Sequence, residues 1–233
     1  MGLVVVTGGS RGLGLQCAKE MVERGHQVVL VAKNPDRLGS VAAELGVESR
    51  AVDLEDQVAT RAVFEEILAT FGAPDTLILA HGVMSERMSK TLRTTDQEWR
   101  RVMAINLDST FTIVNILGAA MAEARKGRIV IFSACLGRMS GPGNAGGLAP
   151  YRISKAGVNA MVRNLAHETN HGARGFLVDA ICPNHTRTDM GGADAPLSVE
   201  EGADTAIWLA TREFDPTKDK TGYFWERRQI IEW

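Results

Sequence analysis

Leu3-Val4-Val5-Val6-Thr7-Gly8-Gly9-Ser10-Arg11-Gly12-Leu13-Gly14 is the stretch on which the fold turns. Four consecutive apolar residues, three of them β-branched, run into a glycine-rich turn, and from Leu13 to Arg24 the apolar period becomes helical until Gly25 ends it. An apolar run without alternation belongs to a strand covered on both faces, as in a parallel sheet. The same alternation of short apolar runs and longer helical segments continues outward. Strands are predicted at Val28–Ala32, Ser49–Val52, Leu77–Ala80, Arg128–Phe132, Leu177–Cys182 and Gly222–Trp225. Helices are predicted at Asp36–Leu45, Asp56–Phe71, Asp96–Arg125, from Tyr151 toward His171, and at Ser198–Thr211. This order indicates an α/β chain: a single doubly wound domain over residues 1–233, with a parallel sheet of about seven strands flanked by helices on both faces. Two irregular stretches, Gly137–Pro150 and Pro183–Pro196, follow strand ends, where open α/β sheets bind ligands.

Composition narrows the function. Of 233 residues, 45% are hydrophobic and 23% charged, and the formal net charge is −2. No basic footprint for nucleic acid or anionic lipid is present. The longest apolar runs are four or five residues, against the roughly 20 of a membrane span. Three cysteines, Cys17, Cys135 and Cys182, form no CxxC and cannot all pair, which excludes a disulfide scaffold or zinc ribbon. With an apolar strand at the N-terminus and no leader pattern before it, a cytoplasmic protein is expected.

The chemistry begins at the glycine turn. Its spacing, Gly-x3-Gly-x-Gly, is that of a tight turn that brings backbone N–H groups to a pyrophosphate at a helix N-terminus, although an ordinary strand-to-helix turn has a similar composition. A carboxylate at the end of the second strand would accept from the ribose hydroxyls of NAD. That position reads Leu30-Val31-Ala32-Lys33-Asn34, with a cation and no acid, and Arg11 adds a second cation. Two cations suit a 2′-phosphate, so NADP(H) is the expected cofactor. Tyr151-Arg152-Ile153-Ser154-Lys155 then sets a phenol and an ammonium at i and i+4 on one helix face. A nearby cation favours the phenolate, which would let Tyr151 exchange a proton with a substrate oxygen while hydride moves at carbon.

With these motifs the chain resembles the short-chain dehydrogenases/reductases, carbonyl reductases among them, nearly end to end. Thr7 to Gly14 is similar to the family's TGxxxGxG turn, and Tyr151 with Lys155 to its YxxxK pair. The resemblance implies that Gly8, Ser10, Gly12, Leu13 and Gly14 join Arg11, Lys33 and Asn34 around the cofactor. Asp53, beside Leu54, would hold the adenine amino group. Asn106 would complete the catalytic set through a water. Lys155 would also hold the nicotinamide ribose, and Pro183, Thr186 and Thr188 would close over the nicotinamide. A homodimer or homotetramer, packed through the long helices, and a small carbonyl or alcohol substrate are implied as well.

Three positions depart from the family pattern. Leu79-Ala80-His81-Gly82 stands where Asn-Asn-Ala-Gly is usual, which puts His81 and Gly82 beside the cofactor ribose. His81 reads either as a histidine bonded to backbone or as a proton relay. Asn184 replaces a glycine after Pro183, tolerable at positive φ. In Phe132-Ser133-Ala134-Cys135-Leu136-Gly137 the family's substrate-orienting serine falls on Ala134. A bulge that rotates Ser133 into the site would restore it, and Ser133 is taken here as the catalytic serine, with His81 or Ser140 as the fallback. No metal site is expected: His167 and His171 lack an acidic or cysteine partner. Met84, Met88 and Met139 are candidate pocket linings, and Gly141, Gly143, Gly146 and Gly147 are hinges for a lid. Two rival readings follow from the same residues: a nucleotide-binding sensor that lost turnover, and a methyltransferase, against which the Tyr–Lys pair and the basic second-strand end argue.

Overall fold

The computed structural model describes residues 1–86, 89–141 and 146–233. Among the described residues, eight strands form one sheet in the order β3-β2-β1-β4-β5-β6-β7-β8. They are β1 Leu3–Thr7, β2 Gln27–Ala32, β3 Glu48–Ala51, β4 Thr76–Leu79, β5 Gly127–Phe132, β6 Phe176–Ile181, β7 Phe224–Glu226 and β8 Gln229–Ile231. All neighbours pair in parallel except β7 and β8. The helices are α1 Gly12–Glu23, α2 Pro35–Leu45, α3 Gln57–Phe71, α4 Asp96–Glu123, α5 Ala149–Glu168 and α6 Val199–Thr211.

The central strands are apolar on both faces because each face carries its own core. Val5, Leu77, Ile129 and Val178 pack with Phe64 and Ile67 of α3, Ile113 and Leu117 of α4, and Val158 and Val162 of α5. Val4, Ile78 and Val130 pack with Met21 of α1, Leu38 of α2, and Ala203 and Leu209 of α6. The chain leaves β1 on one side to make β2 and β3, then crosses back to lay β4 on the other side of β1. That reversal opens a crevice at the carboxyl ends of β1 and β4, and the glycine turn lies in it.

Three local features differ from the sequence expectation or settle it. An eighth strand follows β7 through Arg227 and Arg228, whose φ angles are 47° and 60°. Two adjacent left-handed residues are what a tight hairpin turn demands, and it is usually announced by Asn or Gly; two arginines hide it. α4 contains two wide turns, Ala104–Asp108 and Val114–Gly118, with i→i+5 pairing. By length and composition α4 would reach across a bilayer, but more than half of its apolar window is buried inside the molecule, as in a core helix. Asn184 does take the left-handed conformation, φ 59°, which fits asparagine in place of glycine. Met88 and Gly143 lie outside the described residues.

Candidate active site

Ala149 and Pro150 open α5, proline being well suited to a first turn whose N–H groups are unpaired anyway. The helix then presents Tyr151, Ser154 and Lys155 to the sheet, all buried. The Lys155 ammonium donates to the carbonyl of Phe132 at 2.7 Å, tying α5 to the last residue of β5, and lies 5.9 Å from the centre of the Tyr151 ring. Burial pushes Lys155 down to about 8. Tyr151 does not become easier to ionise, as the i,i+4 lysine suggested. Burial, with the neighbouring Cys182 and Cys135 sulfurs, pushes the phenol up instead. The correction has a simple cause: the ammonium is spent on a carbonyl, and the low-dielectric surroundings penalise a phenolate.

Asn106 occupies the first wide turn of α4 and is 1% exposed. Wide turns of this kind are frequent at functional sites. Its amide accepts from Val83 N at 2.8 Å and donates to Val83 O and to Ser154 Oγ, each at 3.0 Å. Asn106 therefore joins the loop after β4 to the turn of α5 that carries Lys155.

The bulge invoked for Ser133 is absent. The β5–β6 register runs unbroken to Phe132, Ser133 N continues the ladder to Ile181 O at 2.8 Å, and Ala134 is plainly extended. Ser133 lines the cleft, but its hydroxyl donates to Asn159 Oδ1 at 2.5 Å, with Lys155 O at 3.3 Å. Its proton is committed to α5, which contradicts the expectation that Ser133 serves as the substrate-orienting serine. Ser140, the other fallback, turns toward the C-terminal residues Glu232 and Trp233.

His81 is neither backbone-bonded nor placed as a relay to solvent. Nδ1 pairs with Thr7 Oγ1 at 2.6 Å, and Nε2 with Thr110 Oγ1 and Ser109 Oγ, both at 3.1 Å. One ring thus braces β1 against α4, the work the missing asparagine would do. Burial, reinforced by the Lys155 charge, pushes His81 down to about 3. Between there and the ordinary value of 6.5, the unfolded chain takes up a proton that the folded one refuses, so His81 lowers stability as pH falls through that window. Asp179, buried and pushed up to about 6, has the opposite slope between 3.8 and 6. The His81 contribution is therefore read as a difference. Urea unfolding of His81→Asn against the parent should converge by up to about 1.4 kcal/mol per pH unit as pH falls below 6.5. Parallel pH profiles would rule the buried neutral imidazole out. At pH 7 the variant should be less stable by about 1–3 kcal/mol, since asparagine has no counterpart of Nε2 and the Thr110 and Ser109 hydroxyls lose their partner.

Around the turn, the structure gathers Gly8, Ser10, Arg11, Gly12, Leu13, Gly14, Lys33, Asn34, Asp53, Leu54, His81, Gly82, Tyr151, Lys155, Pro183 and Thr188 on one cleft of about 800 Å³. Gly14 packs so tightly that a Cβ there would run into the Gly8 carbonyl. Thr186 is a correction: it is buried, with its hydroxyl donating to Pro183 O at 2.8 Å, and does not line the cleft. The two cations do not stand alone either. Lys33 pairs with Asp53 at 2.7 Å, and Arg11 pairs with Asp189 across the cleft. The sequence reading missed Arg37, Arg187 and Asp189 on the same wall. Arg37 was findable, because Asn34 caps α2 by accepting from Arg37 N at 2.8 Å and so sets that residue at the cleft mouth. Met84 and Met139 are not on the cleft wall, and Met139 is 82% exposed.

Comparison with known proteins agrees with this geometry. Residues 2–196 match the family described as short chain dehydrogenase. The 3-oxoacyl-[acyl-carrier-protein] reductase FabG of Escherichia coli is 32% identical over 190 residues, 81% of this chain and 75% of that one. FabG of Staphylococcus epidermidis is 30% identical over 194 residues, 80% of this chain and 75% of that one. Among solved structures, the carbonyl reductase Sniffer of Drosophila melanogaster covers 100% of both chains with a TM-score of 0.85 at 19% identity. A blue fluorescent protein from a metagenomic library, in complex with NADPH, covers 95% of this chain and 94% of its own with a TM-score of 0.81 at 24% identity. These two likenesses speak for the fold.

Proposed function

The chain is an oxidoreductase of the short-chain dehydrogenase family, and from that premise we propose that it uses NADP(H) to interconvert a carbonyl and a secondary alcohol, with Tyr151 as proton donor and acceptor. The observation that carries the reading is the buried Tyr151, one helical turn from a buried Lys155, at the inner end of a cleft walled by the glycine turn. The residues present fit a dinucleotide: Gly8 and Gly14 pack backbone against backbone and keep the turn tight, and Arg11, Lys33 and Arg37 line the same cleft. The glycine turn would hold the pyrophosphate, Lys33 with Arg11 and Arg37 the 2′-phosphate, and Lys155 the nicotinamide ribose. When bound, the nicotinamide supplies or accepts the hydride.

The chain's own residues handle the proton. A phenol that burial keeps protonated is a donor, so the arrangement suits carbonyl reduction. Lys155 fixes the end of β5 against α5 and provides positive charge beside the substrate oxygen as it develops negative charge. Asn106 holds the Gly82–Val83 loop and Ser154 in register with both. The reductase names of the curated relatives support the same direction.

Cofactor choice is the direct test. NADPH should outperform NADH, and Lys33→Asp should lower the NADPH/NADH ratio of kcat/KM about ten- to a hundredfold, the value of one charge-assisted contact of roughly 1.5–3 kcal/mol. The variant removes a cation and sets a second carboxylate beside Asp53. Parent enzyme that turns over NADH as well as NADPH would defeat the assignment.

A second reading, a dinucleotide-binding sensor with impaired turnover, draws on Ala134 and on the committed Ser133 hydroxyl. It predicts tight NADPH binding without NADPH consumption across a carbonyl panel. The reductase reading also goes with a cytoplasmic homodimer or homotetramer: Trp99 and Phe111 on α4 and Ile153 on α5 are apolar and exposed. A light-scattering mass of one chain would remove that part.

A further inference from the structure

Cys135 and Cys182 sit at the ends of neighbouring strands. Cys182 directly follows β6, and Cys135 opens the short 3₁₀ turn Cys135–Gly137 just beyond β5. The β5–β6 ladder holds these ends side by side through Ser133 N and Ile181 O. Cys135 N donates to Cys182 Sγ at 3.1 Å, which brings the two side chains together. Cys182 is 2% exposed, whereas Cys135 is only partly buried. Both sulfurs act on the ionisation of Tyr151, which places the pair beside the phenol. The proton and hydride chemistry of the cleft uses neither of them.

We propose that Cys135 and Cys182 are a modification site, an oxidisable dithiol beside Tyr151 that a peroxide converts to an intramolecular disulfide. The roles within the pair are unequal. The neighbouring Cys182 side chain holds Cys135 down at about 6, while Cys135 and burial push Cys182 up. Cys135 is thus the thiolate, and the more exposed of the two. Its sulfur attacks one peroxide oxygen and breaks the O–O bond; the other oxygen leaves as water, and Cys135 becomes a sulfenic acid. The Cys182 sulfur then attacks the Cys135 sulfur. The S–S bond forms, the S–O bond breaks, and the thiol proton leaves with the hydroxyl as a second water. Two thiols are oxidised and one peroxide is reduced. Cys182 Sγ already lies 3.1 Å from the Cys135 backbone nitrogen, so the second sulfur stands beside the residue that is oxidised first.

The third cysteine serves as an internal control. Cys17 is fully buried in α1 against the other face of the sheet, and burial pushes it up to about 12. The test treats the reduced protein with stoichiometric hydrogen peroxide at pH 7 and follows intact mass, free thiols and mapped peptides. None of these depends on the reductase reading. The expected result is a mass lower by two hydrogens, a peptide linking Cys135 to Cys182, a free thiol left at Cys17, and full reversal by dithiothreitol. Iodoacetamide should alkylate Cys135 at least about tenfold faster than Cys17. Cys182→Ser should stop at a sulfenic acid on Cys135 that dimedone traps, and Cys17→Ser should still close the link. Peroxide that leaves all three thiols free, that takes Cys135 to the sulfinic acid with no linked peptide, or that links Cys17 or a second chain instead would overturn the proposal. The wild-type peptide map decides this even if a variant fails to fold.

Discussion

Tyr151→Phe should bind NADPH as the parent does, unfold at nearly the same temperature, and lose about 10²–10⁴-fold in kcat for carbonyl reduction, the usual contribution of a positioned proton donor. The substitution removes one oxygen from a ring that is 6% exposed and leaves the ring's packing in place. Lys155 keeps its bond to the Phe132 carbonyl, so the helix and strand that frame the site stay joined. Stopped-flow NADPH oxidation on the same substrate, beside a fluorescence titration of the cofactor, separates the two effects. Variant turnover within threefold of the parent would show that the proton comes from elsewhere. The pH profile adds a second check. Tyr151 is pushed up, so it stays protonated across the working range, and the first group to change on the alkaline side is Lys155, near about 8. Because kcat/KM reports the free enzyme, kcat/KM for NADPH should fall as pH rises through that value, when the ammonium is lost. A profile flat to pH 10 would remove Lys155 from cofactor binding.

Much of this site could be read from residue types because it is built from backbone and from one helical period. The glycine turn works through the absence of side chains, and Tyr151 and Lys155 meet because residues four apart share a helix face. The order of elements was equally legible, since β1, β4 and β5 are too apolar to be exposed and too short to be helices. What escaped the sequence depends on contacts between distant segments. That His81 braces Thr7 against Ser109 and Thr110 needs β4 laid beside β1 and under α4. That Lys33 meets Asp53 needs the ends of β2 and β3 side by side. The rise of the Tyr151 pKa, where a lysine four residues on suggested a fall, is a balance between burial and charge, and burial is not written in spacing. The β8 hairpin was missed for a different reason: its turn is made by Arg227 and Arg228 in a conformation those residues rarely take.

Ala134→Ser should raise turnover, by as much as the ~10²–10³-fold that one oxyanion donor supplies, while Ser133→Ala should change stability more than rate. β5 keeps its register with β6 to its end, so Ser133 and Ala134 face opposite sides, and the two substitutions address different surroundings. Ser133 already has a use. Its hydroxyl donates to Asn159 Oδ1 at 2.5 Å from a buried position, and Asn159 Nδ2 in turn donates to Gly137 O at 3.4 Å, closing the turn after the strand onto α5. Alanine there leaves a buried amide oxygen without its donor, at a cost of about 1–3 kcal/mol. Ala134, 8% exposed, holds the position where the resemblance places a hydroxyl, and a serine adds one oxygen to it. The substrate oxygen would then receive a hydrogen bond from the introduced hydroxyl as well as from Tyr151, and that bond strengthens as negative charge develops. Urea unfolding and NADPH turnover on one substrate, measured for both variants, distinguish the roles. A Ser133→Ala protein as stable as the parent but a hundredfold slower would return the substrate-orienting role to Ser133. An Ala134→Ser protein that folds, binds NADPH and gains nothing would mean that Tyr151 works with a donor from another part of the cleft.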